Sequence, residues 1–247
     1  MKNGDAAEYL WCLLFPNHCK FCGELTDFVT DICDKCEAEI PFIKGEICYR
    51  CGSQKADCIC NGKRSKFYEK SVSVMYYDEL AKNCISRFKF DGDRNTYKCL
   101  AKLMADCCRE RYGDVSFDYV AYVPMDRKKQ RARGFNQSRL LAKAISEELN
   151  IPFGEKLLVK LYETDNQHEC GRIERTGNLM GVFDVNCDYD ISGKTVLLID
   201  DIKTSGATLN ECGKMLYLYG AQKVFCLTAA LRNSKIDEKE EDGDAWN

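Results

Sequence analysis

Two acids, Asp200 and Asp201, interrupt an otherwise apolar run in VLLIDDIKTSGATL (196–209), and hydroxyls and a glycine follow them at once. At the carboxyl end of a parallel strand, the loop into the next helix faces the ligand crevice of an open α/β sheet. In Lys203-Thr204-Ser205-Gly206-Ala207-Thr208 the glycine permits a tight turn, and three hydroxyls lie beside the unpaired amides of a helix start. Such a cradle holds a phosphate. Two carboxylates cannot bind that phosphate, but they can accept hydrogen bonds from the two hydroxyls of a ribose attached to it. A helix cap alone would need one acid and no glycine cradle. The stretch therefore describes a ribose 5-phosphate site. A rival phosphate motif fails: Gly193, Lys194 and Thr195 imitate the end of a Walker A loop, but Asp188 stands where its first glycine belongs, and a strand follows instead of a helix.

A second chemistry is written in cysteine. Of 17 cysteines, nine fall in the first 60 residues, and eight of those form pairs: Cys19 and Cys22, Cys33 and Cys36, Cys48 and Cys51, Cys58 and Cys60. A two-residue gap lets two thiolates bind one metal while backbone amides turn towards the sulfurs, and two such knuckles close a tetrahedron around zinc. Eight cysteines thus make two zinc sites, paired in order or crossed, first with third and second with fourth. With every position filled by protein sulfur, the sites are expected to be structural. Cys12 and His18, just outside the knuckles, read as packing or surface residues.

The third informative stretch is YVPMDRKKQRARGFNQSRLLA (122–142). Arg127, Lys128, Lys129, Arg131 and Arg133 occupy five of seven positions, and Gly134 and Phe135 lead into a helix. A pyrophosphate or a nucleic-acid backbone could use them.

These residues must be positioned by elements that the patterning also predicts. KSVSVMYY (70–77) alternates like a strand, and Asp78 caps a helix through ELAKNCISRFKF. A helix over 96–112, a strand within FDYVAYVP ending at Pro124, and a helix over 136–149 follow. A polar, glycine-containing loop covers 164–180. TVLLID is a continuous apolar strand, GATLNECGKMLYLYG a helix closing at Gly220, and KVFCLTAAL a last strand. Alternating strands and helices predict an α/β domain with a mostly parallel sheet flanked by helices over 63–232. A cysteine-rich segment with little helical periodicity (1–62) precedes it, and a tail over 233–247, with six acids against two lysines, reads as disordered.

A formal charge of −3 gives no global bias towards nucleic acid or membrane, so anion binding must be local. There is no apolar run of bilayer-spanning length, and the opening residues carry acids where a signal peptide carries a basic region. The expectation is a cytoplasmic protein that is not integral to a membrane.

Taken together, these stretches resemble the ComF family, competence-associated proteins with an N-terminal double zinc ribbon and a type I phosphoribosyltransferase domain. The strand, acid pair and T-S-G-x-T cradle match that fold's phosphoribosyl pyrophosphate signature. Val123, Pro124 and Asp126, followed by Arg133-Gly134-Phe135-Asn136-Gln137, match a V-P-x-[HD] turn and an R-G-[FY]-N-Q element. Thr164, Gln167, Arg172, Arg175 and Asn178, then Gly181 and Phe183, fit a loop that closes over substrate in related transferases. His168, Glu169 and Cys170 depart from the family pattern there. The resemblance implies phosphoribosyl pyrophosphate bound with magnesium, Arg127, Lys128, Arg133 and Gly134 towards the pyrophosphate, and a role with single-stranded DNA and DNA-uptake proteins. It leaves open an active transferase of nucleotide metabolism or salvage with an unassigned acceptor.

Overall fold

The computed structural model describes residues 17–27, 29–58, 60, 66–90, 96–161 and 182–232. Gln167, Arg172, Arg175 and Asn178 of the expected closing loop, Cys12, and the acidic tail lie outside them.

Among the described residues of the cysteine-rich segment lies a short α-helix, α1 (Asp34–Glu39), which the turn-rich sequence did not announce. Beyond it come β1 (Lys70–Tyr76), α2 (Glu79–Phe90), α3 (Thr96–Tyr112), β2 (Tyr119–Tyr122), α4 (Arg127–Arg133), α5 (Gln137–Leu149) and β3 (Leu158–Lys160). β4 (Phe183–Val185), β5 (Thr195–Lys203), α6 (Ala207–Leu218) and β6 (Lys223–Leu231) complete the order. Four strands form one parallel sheet, β1-β6-β5-β2, and β3 pairs antiparallel with β4 beside it. Among the described residues, no helix is long and apolar enough to cross a membrane.

Helices cover both faces of the sheet, which explains the near-continuous apolar strands. Along β5 the side chains alternate. Val196 and Leu198 pack with Leu209, Cys212 and Leu216 of α6, while Leu197 and Ile199 join Leu100, Met104, Leu141 and Ile145 of α3 and α5. β6 is buried from Val224 to Leu231, and its one central hydroxyl, Thr228, meets Ser73 of β1 at 2.6 Å, so neither polar group is stranded in the core.

The helix starts follow their caps. Asp78 Oδ1 accepts from the Ala81 amide at 2.8 Å, and the Asn136 side chain caps α5. No periodicity announces α4, because RKKQRAR has no apolar face and none of its residues is buried. The Asp126 carboxylate capping Lys128 N at 2.8 Å begins α4, and Gly134, at φ 82°, ends it. β5 is also longer than the expected TVLLID: it runs through Asp200 and Asp201 to Lys203, with Asp200 opposite Thr228 and Lys203 opposite Leu231. The acids therefore sit in the last, partly exposed pairs of the strand.

The cysteine-rich segment is docked on the sheet edge. Phe42 pairs with Met75 of β1, the Ile43 amide donates to Val74 O, and the Tyr76 amide donates to Pro41 O. Ile40, Ile43 and Ile47 thereby join the core.

Candidate functional site

The eight paired cysteines gather into two clusters in sequence order, Cys19, Cys22, Cys33 and Cys36, then Cys48, Cys51, Cys58 and Cys60. This settles the pairing against the crossed arrangement. Within each cluster all four sulfurs lie within 4.8 Å of one another, with Cys22 to Cys33 at 3.8 Å and Cys51 to Cys58 at 3.6 Å. Four thiolates at the usual zinc–sulfur bond length stand ~3.8 Å apart, so both clusters fit a tetrahedral zinc ion. Knuckle turns shape them: Gly23 and Gly52, both at positive φ, donate to Cys19 O and Cys48 O. Amides of Glu24, Cys33 and Cys60 point at Cys22, Cys19 and Cys58 sulfurs. Burial disfavours the Cys19 thiolate, but the N–H groups of Cys33, Cys22 and Phe21 outweigh it and lower its pKa to about 6. At Cys48 burial is likewise outweighed, by the N–H groups of Cys51 and Arg50 and by neighbouring thiols, giving about 7. Each cluster thus holds one thiol poised to lose its proton to a metal.

A cleft of about 460 Å³ opens at the carboxyl ends of the neighbouring strands β2 and β5, within the size range of small-ligand sites. Asp200 and Asp201 line it, with Ala207 and Thr208 of the first turn of α6. Gly206 precedes that turn at φ 72°, and a Cβ there would come within 2.9 Å of Lys203 Cε, so both conformation and space call for glycine. Thr204 and Ser205 are exposed beside the cleft, and Ser205 Oγ accepts from the Ala207 amide.

The two acids are held differently. Asp200 Oδ1 accepts from Ser138 Oγ at 2.8 Å and from the Asp201 amide at 2.9 Å. Burial, and then the negative charge of Asp201, push the Asp200 carboxyl up to about 8, outweighing those hydrogen bonds. Asp201 is bridged by Lys89 Nζ at 2.7 Å and caps the Ile202 amide at 2.7 Å.

Of the expected basic residues, Arg133 lines the cleft, and so does Lys129. Arg127 and Lys128 do not line it; both are exposed on α4, whose helical turn sends successive side chains in different directions. The Lys203 side chain, expected in the cradle, turns away from the cleft. It is 3% exposed and donates to Ser71 Oγ at 2.7 Å and to Arg50 O at 3.3 Å, on the side of the second cysteine cluster. Burial lowers its pKa to about 8.

Several cleft residues were not anticipated: Lys89 at the end of α2, Ser138 in the first turn of α5, Lys160 at the end of β3, and Glu211 on α6. Lys89 and Lys160 arrive from remote segments and carry no local signature. Ser138 directly follows the R-G-F-N-Q element and could have been included with it. Asn136 fixes this corner by donating to Val123 O at 3.1 Å.

Comparison with known proteins agrees with this anatomy. A family model described as a double zinc ribbon domain matches residues 10–69, and one described as a phosphoribosyl transferase domain matches residues 136–246. Competence protein ComFC of Bacillus subtilis is 28% identical over 196 residues, covering 75% of this chain and 77% of that protein. Competence protein F of Haemophilus influenzae is 27% identical over 218 residues, covering 84% and 92%. A solved adenine phosphoribosyltransferase from Saccharomyces cerevisiae aligns with 62% of this chain and 77% of that one, at 13% identity and a TM-score of 0.42. With a zinc ribbon model and a phosphoribosyl transferase model matched in one chain, and relatives aligned over three quarters of it or more, the protein is similar to the ComF competence proteins.

Proposed function

We propose that the cleft binds phosphoribosyl pyrophosphate with magnesium, and that the ligand-bound protein acts in competence, in the handling of incoming single-stranded DNA. The observation that carries the ligand is the pairing of Asp200 and Asp201 on one cleft wall with the start of α6 on the next. In this reading the two carboxylates accept hydrogen bonds from the ribose hydroxyls. The amides of the first turn of α6, with the hydroxyls of Thr204, Ser205 and Thr208, receive the 5-phosphate. Lys129 and Arg133, with Lys89 and Lys160, face the pyrophosphate. Lys89 must then exchange its bridge to Asp201 for the ligand or share it. Magnesium would neutralise pyrophosphate charge, and the ligand's own oxygens would supply most of its coordination.

If the site turns over, pyrophosphate departs from C1 and leaves an oxocarbenium-like sugar, with the cleft cations stabilising the leaving charge. The part in competence rests on the names of the two relatives. It is supported by α4, whose exposed Arg127, Lys128 and Arg131 stand beside the cleft as a basic surface for a phosphate backbone.

Calorimetric titration with phosphoribosyl pyrophosphate tests the ligand. Saturable heat in the presence of magnesium, weakened in its absence, is expected. No heat under either condition would overturn the reading.

A further inference from the structure

The second cysteine cluster and the cradle of the cleft meet at one buried point. Arg50 lies between Cys48 and Cys51, so the knuckle turn that brings those two sulfurs together also fixes the direction of its carbonyl. Tyr68 Oη donates to that carbonyl at 3.0 Å, and Lys203 Nζ lies 3.3 Å from it. Lys203 Nζ also donates to Ser71 Oγ at 2.7 Å and lies 5.3 Å from the centre of the Tyr68 ring. Both side chains are almost fully buried.

On their other side rests the cradle. A Cβ built on Gly206 would stand 2.9 Å from Lys203 Cε and 3.6 Å from Tyr68 Oη, so these two side chains lie directly behind the loop. A zinc ion held by four thiolates leaves a net negative centre on the side to which the Lys203 ammonium points. The first cluster has a different attachment. Arg87 of α2 donates to Cys22 O at 3.3 Å, and that contact reaches a helix rather than the cradle.

We infer that Lys203 is a positioning residue that, with Tyr68, ties the geometry of the second metal centre to the cradle Thr204–Thr208, so that filling this centre tightens ligand binding in a cleft it does not touch. The effect on ligand rests on the proposed phosphoribosyl pyrophosphate site; the effect on the cradle does not. The motif position occupied by Lys203 therefore serves the cleft from behind.

Amide hydrogen exchange over residues 203–209, in zinc-loaded full-length protein without ligand, separates the two. Lys203→Met keeps the stem beneath Gly206 and removes the donors. It should speed exchange in this segment about tenfold and weaken phosphoribosyl pyrophosphate binding by a similar factor. Cys58→Ser with Cys60→Ser, which empties the second centre, should do the same. Cys33→Ser with Cys36→Ser, which empties the first, should leave exchange over 203–209 at the parental rate. Tyr68→Phe deletes one hydroxyl and gives a milder version of the first result should Lys203→Met not fold. Parental exchange over 203–209 in a folded Lys203 or Tyr68 variant and in the second-centre variant, with zinc loss confirmed, would overturn the inference. So would equal acceleration from emptying the first centre. A parent that binds no phosphoribosyl pyrophosphate would sink the proposed ligand, while the exchange results would still decide the role of Lys203.

Discussion

The cysteine module and the cleft solve opposite electrostatic problems. In the module, each cluster of four thiols fits one metal ion, and the knuckle amides already favour thiolate at Cys19 and Cys48. Charge there is gathered in order to be neutralised, and the metal replaces a core that so short a segment cannot build. The cleft gathers charge and leaves it incompletely answered. Asp200 sits beside Asp201 with its carboxyl pushed up to about 8, and cations from α2, α4 and β3 ring the same space. One region is organised for stability, and the other accepts an electrostatic cost at Asp200.

The largest expected effect tests the module. Stripping metal with a chelator should release the cysteine-rich segment from the edge of β1, uncover Ile40, Ile43 and Ile47, and lower the thermal midpoint by about 10 °C or more. Elemental analysis before stripping should find close to two zinc ions per chain. An unchanged midpoint in metal-free protein would erase the contrast between the regions.

Next in size is the acid pair. Asp200→Asn and Asp201→Asn keep the size of the side chains and remove their charge. Each should cost about tenfold or more in phosphoribosyl pyrophosphate affinity, read by calorimetry, with no loss of thermal midpoint at neutral pH. Unchanged affinity in the double variant would mean that the cleft recognises its ligand by other groups. A collapsed midpoint would instead move the pair to the structural side of the comparison.

The cost stored at Asp200 has a pH signature. Its carboxyl is raised from 3.8 to about 8, so the folded protein keeps a proton that the unfolded chain has released. The resulting stability is fully present below about pH 4, declines as pH rises, and is exhausted above about pH 8. The Asp200→Asn variant lacks this dependence, so its midpoint relative to the parent should climb steadily from pH 5 to pH 8 and then level. A constant difference across that range would show that Asp200 is already ionised at pH 5.

The smallest effect concerns the exposed face of α4. Lys129 lines the cleft, so a clean test changes only Lys128 and Arg131 to Ala. Single-strand DNA binding should weaken, and its slope against log salt should fall by about 0.7 for each phosphate that the variant no longer neutralises. Phosphoribosyl pyrophosphate affinity should hold. Equal DNA affinity in variant and parent at several salt concentrations would remove α4 from the DNA-binding surface.

The residues that announced themselves were those whose function needs short spacing. Cys-x2-Cys pairs, an acid pair followed by a hydroxyl and glycine loop, and a continuous apolar strand are all local, because metal knuckles, helix starts and buried strands are satisfied within a few residues. The sequence by itself therefore determined the two cysteine clusters as candidates, the parallel α/β order and the place where the acid pair meets the start of α6. Three things waited for the tertiary structure. The in-order pairing of the clusters depends on where the chain turns back. The cleft cations Lys89 and Lys160 come from segments far from the motif. The direction of Lys203 was decided by packing: at the end of β5 its neighbours Ser71, Tyr68 and Arg50 lie more than a hundred residues earlier, and no local pattern records which face of the strand they will cover.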